Sequence, residues 1–104
     1  MALNLTNAPV RIGATQTLIY TAPAGTTATI FDGTITNVDD ANQAMRFVVF
    51  ELRRVDGITF KLGNKIAIPY GMSPRLPKVV LRPGESLYGT ADAANSIDCV
   101  IMIA

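Results

Sequence analysis

The 104-residue chain contains no histidine, no tryptophan and a single cysteine, Cys99. Without histidine it lacks the commonest general base, the commonest zinc ligand and any imidazole switch near neutral pH. One cysteine excludes an intrachain disulfide and any cysteine-based zinc cluster. Charge is also sparse: charged residues make up 16% of the chain, and nine basic against eight acidic residues leave a net charge of +1. That balance shows no overall bias toward a polyanion, so neither nucleic acid nor a membrane surface is expected as a partner. No apolar run approaches the ~18 residues of a membrane-spanning helix. MALNLTNAPVRIG at the start has no basic segment leading into an apolar one, so synthesis in a cytoplasm and use without processing is the expectation. These absences weigh against an enzyme, and no cofactor or metal is expected.

What is present is β-forming. Ten Ile, eight Val and eleven Thr sit in short runs divided by Gly, Pro, Asn and Asp, the pattern of an all-β sandwich or barrel. Strands are predicted at Thr17–Thr21, Thr27–Val38 with a bend at Asp32-Gly33, Ala44–Val55, Ile58–Leu62, Lys65–Ile68, Lys78–Leu81, Ser86–Ala91 and Ile97–Ile103. Asp56-Gly57 reads as a two-residue type I′ hairpin turn and Gly63-Asn64 as a second tight turn. In Ala44–Val55, Met45, Phe47 and Val49 alternate with Val48, Phe50 and Leu52, so this strand is expected to be covered on both faces. Phe47, Phe50 and Phe60 are all assigned to core-facing positions. Ile97, Cys99, Ile101 and Ile103 share one face of the last strand, with Cys99 a small buried apolar residue. The count is about eight strands in one antiparallel sandwich at residues 17–104, with jelly-roll connectivity. Residues 1–16 read as an extended N-terminal arm or weak edge strand.

Constellations that carry chemistry are few. Asp39, Asp40 and Asn42 offer oxygen ligands, but calcium needs about six or more and no distal glutamate follows, so a solvated turn is favoured. Glu51 beside Arg53 and Arg54 has no second acid marked as a catalytic partner, and cross-strand ion pairing is expected instead. Arg46, Arg53, Arg54, Lys61 and Lys65 lie on adjacent predicted strands, where a protein contact suits arginine better than nucleic acid does. The loop Tyr70–Arg75 between two prolines holds interface-type residues, Tyr70, Met72 and Arg75. It reads equally as a loop folded back over the core. An apolar excess with near-zero net charge points to surface meant for other chains.

The segment Leu18–Asn37 (LIYTAPAGTTATIFDGTITN) resembles small β-rich virion proteins of tailed bacteriophages, in which a Tyr-Thr-x-Pro-Ala-Gly turn precedes a strand carrying Gly-Ile/Thr-x-x-Asn. Val80–Ala91 (VLRPGESLYGTA) resembles the second half of that pattern. The resemblance implies a non-enzymatic structural protein of the virion: a capsid decoration (cement) protein on the outer capsid surface, or a head–tail joining, collar or tail subunit. Its implied partners are the major capsid protein or other virion proteins, with a homo-oligomer, a trimer first. Leu3, Leu5, Val10 and Arg11 of the arm and Tyr70, Met72 and Arg75 of the loop are the expected contact residues. A carbohydrate-binding module is the remote alternative, and the lack of tryptophan for sugar stacking argues against it.

Overall fold

Ile97, Cys99, Ile101 and Ile103 alternate with Asp98, Val100 and Met102, and the first set is buried while the second faces outward. That period of two recurs in β3, β4 and β7 and gives those strands one core-facing side. The computed structural model describes residues 6–104, of which Thr6–Ala8 are placed as backbone. It contains β1 (Thr6–Ile12), β2 (Thr17–Thr21), β3 (Ala28–Asn37), β4 (Arg46–Arg53), β5 (Thr59–Ile68), β6 (Val79–Leu81), β7 (Ser86–Ala91) and β8 (Ile97–Ile103). The described residues include no helix, and hence none long and apolar enough to cross a membrane.

The strands form two four-stranded antiparallel sheets, in the orders β1-β8-β3-β6 and β2-β7-β4-β5. Their inner faces enclose one core, in which Phe50, Ile30, Ile35, Leu81, Leu87 and Ile101 are almost entirely shielded from water. Each such side chain contributes roughly 1.5–3 kcal/mol of transfer free energy. β1 lies within the stretch read as an arm. It pairs with β8 along its whole length, Thr6 opposite Ile103 and Ile12 opposite Ile97.

Several local expectations are corrected. Gly63-Asn64 is not a turn, because β5 runs through it and stays paired with β4 on both sides. The chain absorbs the misfit as two bulges, and Lys65 takes a left-handed conformation, φ 55°. The hairpin at Asp56-Gly57 exists, but its loop has three residues. The Gly57 amide donates to the Arg54 carbonyl, Arg54 and Ile58 close the loop, and only Gly57 has positive φ. That is a type I turn followed by a glycine bulge rather than type I′. The irregularity in β3 falls at Phe31, between Ile30 and Asp32, one residue before the expected bend. Gly33 has a different task. A Cβ there would sit 3.2 Å from the Val100 carbonyl oxygen and 3.3 Å from Leu76, so glycine admits the chain that packs beside it.

Phe50 is core, as expected, but Phe47 and Phe60 are not. Phe47 lies on the outward face of β4, and Phe60 lies on the edge strand β5. Met45 is exposed beside Phe47 and Val49 is half-buried, so none of the described residues covers the outward face of β4.

Candidate interaction surface

Three regions hold the residues singled out in the sequence. In the first, Leu3 and Leu5 lie outside the described residues. Val10 packs its side chain partly against the core. Arg11 points outward and grips Asp98 of the neighbouring strand through Nε at 2.7 Å and Nη2 at 3.2 Å. The hydrogen bond and charge of Asp98 raise the pKa of Arg11, so its cation is committed to β8.

The second is the Tyr70–Arg75 loop, which is zipped along the second half of β3. The Asn37 amide donates to the Met72 carbonyl, the Ile35 amide to the Pro74 carbonyl, and the Leu76 amide to the Gly33 carbonyl. Leu76 enters the core, while Tyr70, Met72 and Arg75 remain exposed. The Tyr70 hydroxyl donates to Asp40, which raises the tyrosine pKa above its ordinary value of 10.0. Leu76, just past the loop, closes the sandwich, whereas Tyr70 and Met72 face solvent instead of covering the core.

The arm and loop residues stand at opposite edges of one face. Arg75 bridges to Thr34, Thr34 pairs with Val100, and Val100 pairs with Pro9. These four are exposed and span about three strand spacings, ~14 Å.

The third region centres on Phe60, which alternation places in the core and the structure places on the surface with its neighbours. Val55, Ile58, Phe60 and Leu62 are 74, 54, 51 and 43% exposed. The reason lies in the opposite sheet. β5 has ten residues and β6, which ends the facing sheet, has three. Leu52, on the inner face of β4, stands opposite Phe60, so Phe60 points toward an interior that β6 is too short to roof. Together the four side chains expose on the order of 400 Å², within the size range of the apolar patches that on many proteins serve binding. No periodicity rule could find this. Alternation states which face a residue is on and not whether the facing strand reaches it.

Charged groups are mostly spoken for. Arg46 holds Asp39 at 2.6 Å and reaches Asp92 at 3.8 Å. Its guanidinium keeps the Asp39 carboxyl below the usual carboxylate value, against the opposing effect of burial. Asp39 also accepts the Asn42 amide, so this one residue of the turn is an internal clamp, while Asp40 and Asn42 are solvated as expected. Arg53 stacks on Tyr88 at 4.4 Å and donates to Gln16. Arg54 meets the buried Glu85 at 3.5 Å. Glu51 has Lys61 and Tyr88 as cross-strand neighbours and forms no ion pair within 4.0 Å among the described residues. No three potential metal-ligating side chains of the His, Cys, Asp and Glu types converge among the described residues. Burial pushes the Cys99 thiol up to about 11, which removes its nucleophilic form at neutral pH. What the arrangement offers chemically is contact area.

Compared with known proteins, the chain matches no family model, no curated protein and no solved structure.

Proposed function

We propose that the protein is a non-enzymatic structural subunit of a tailed-bacteriophage particle, a decoration protein that binds the outer capsid surface and stabilises the head. The observation that carries this reading is the apolar side chain left outside a well-packed core. Val55, Ile58, Phe60 and Leu62 on one flank, and Met45 and Phe47 on another face, are surface that a solitary domain has no use for. The strand orders β1-β8-β3-β6 and β2-β7-β4-β5 support a jelly roll, two interlocked Greek keys, an architecture used by viral capsid domains. The turns that carry the resemblance are consistent with it. Pro23-Ala24-Gly25 follows β2, and Pro83-Gly84 precedes β7 with Gly84 at φ 83°.

In this reading the work is mechanical. Shallow contacts tie neighbouring capsid subunits together, and a homo-oligomer, a trimer first, gains avidity because several weak feet release together more slowly than one. The arm with Arg11 and the loop with Tyr70, Met72 and Arg75 flank one exposed face suited to such a contact.

Light scattering after size exclusion, followed by rebinding of recombinant chain to phage heads stripped of it, tests the proposal. A trimer that rebinds in proportion to capsid subunits is expected, with rebinding lost on deletion of residues 1–5, which leaves β1 intact. Copies confined to the tail vertex, or binding indifferent to that deletion, would overturn it in favour of a collar or tail subunit.

A further inference from the structure

Five of the nine basic residues, Lys61, Lys65, Arg75, Lys78 and Arg82, fall between Gly57 and Gly84, a stretch without one acidic residue. The fold gathers that stretch on one flank. β5 and β6 each end a sheet, and the hollow between them is lined by Leu62, Gly63 and Ile66 on one side and Leu76, Lys78 and Val79 on the other. Arg11, Arg46 and Arg54 form salt bridges and Arg53 stacks on tyrosine, whereas none of the five forms a salt bridge among the described residues. Acids border the flank, with Glu51 opposite Lys61, Asp92 sharing a hollow with Lys65 and Glu85 near Arg82. None lies within the stretch itself, so positive charge predominates there on a molecule whose net charge is only +1. The same zone carries the unroofed Ile58, Phe60 and Leu62, and among the described residues no strand neighbours the outer edge of β5.

We propose that this flank binds an extended acidic segment of a partner protein, which adds to the edge of β5 as a further strand. Main-chain hydrogen bonds give affinity in such an addition, and alternate side chains give specificity. Apolar residues of the segment cover Phe60 and Leu62, and its carboxylates face Lys61, Lys65 and Lys78. A second copy of β5 does not fit. Antiparallel pairing of two such edges about Gly63 sets Lys61 opposite Lys65, and the strand has no acid to offer in any register. Those lysines and the two bulges are devices that keep like edges apart, and they leave an acidic strand as the acceptable one. Nucleic acid would answer the charge but not the apolar strip, whose one aromatic ring, Phe60, makes no stacking platform. The inference holds for any partner with this chemistry, capsid subunit or not.

Panning a displayed library of random peptides against the full chain tests it, followed by titration of the recovered peptides and of oligothymidylate. Acidic peptides with apolar residues at alternate positions are expected. Their affinity is expected to fall at least about tenfold in Lys61→Glu/Lys65→Glu/Lys78→Glu and to weaken with salt. Amide hydrogen exchange is expected to slow at residues 59–62. Should the triple variant fail to fold, the glutamine triple replaces it. Recovery of no peptide, peptides without acidic bias, equal affinity for the variant, protection on another strand, or binding of oligothymidylate alone would each overturn the proposal.

Discussion

Asn37 shows how much one side chain can hold. It is buried, its amide donates to the carbonyls of Ala44 and Ile68, both at 2.8 Å, and its oxygen accepts the Asp39 amide. Three stretches of chain meet at this group, so Asn37→Ala strands two carbonyls and an amide without water. A loss of about 3 kcal/mol in urea unfolding is expected. Two residues on, Asp39 titrates lower in the folded chain than in the unfolded one because Arg46 holds its ionised form. Stability from this pair is therefore complete above the ordinary carboxylate value of 3.8 and is lost as pH falls through the folded value. Unfolding measured across pH for wild type and Arg46→Gln is expected to show a constant gap near neutrality that closes in acid. Cys99, shielded from water and with its thiol pushed up to about 11, is expected to resist a thiol reagent in the native protein and to react fully in denaturant. The sequence marked Cys99 as buried because its neighbours at steps of two are isoleucines. It did not mark Asn37 as a junction, since Asn after a strand reads as turn chemistry and its partners lie in segments only the fold brings near.

At the scale of elements, β2, β7 and β8 have the predicted ends, because TLIYT, SLYGTA and IDCVIMI are short β-forming runs set off by segments rich in Pro, Gly, Asp and Asn. β5 resisted the same reading. Gly63-Asn64 has turn composition, yet the pairing partners Phe47 and Val48 on one side and Leu52 on the other hold the strand to β4 across it. Tertiary pairing outweighed local propensity, and the bulges record the compromise. Gly33 illustrates the reverse case, a glycine read as a bend that serves as a space. Gly33→Ala is expected to destabilise the protein by about 1–3 kcal/mol, because a backbone carbonyl and the Leu76 Cβ stand in the way. Hydrogen exchange should then speed up for the amides of Ile35 and Leu76, which tie the Tyr70–Arg75 loop to β3.

For the whole molecule, the unroofed flank separates surface from core experimentally. Ile58→Thr with Phe60→Ser is expected to change unfolding stability by no more than about 1 kcal/mol, since both side chains are half in water already. Solubility should rise, measured by light scattering at high concentration; a collapse of the melting transition would return these residues to the core. The five-cation stretch behind the flank was visible as plain sequence, but overall charge near zero concealed it. Only the placement of β5 and β6 on one side makes it a surface. A last consequence concerns β8, which lies between β1 and β3 and gives each a partner. It is the last of the eight strands to leave the ribosome, yet it occupies the middle of its sheet. Until residue 103 has emerged, β1 and β3 are two bare edges some 10 Å apart, the width of one missing strand between two neighbours. The β3–β6 pair can form before then, but β1 cannot join the sheet, and its middle closes over Ile35 only once β8 has emerged.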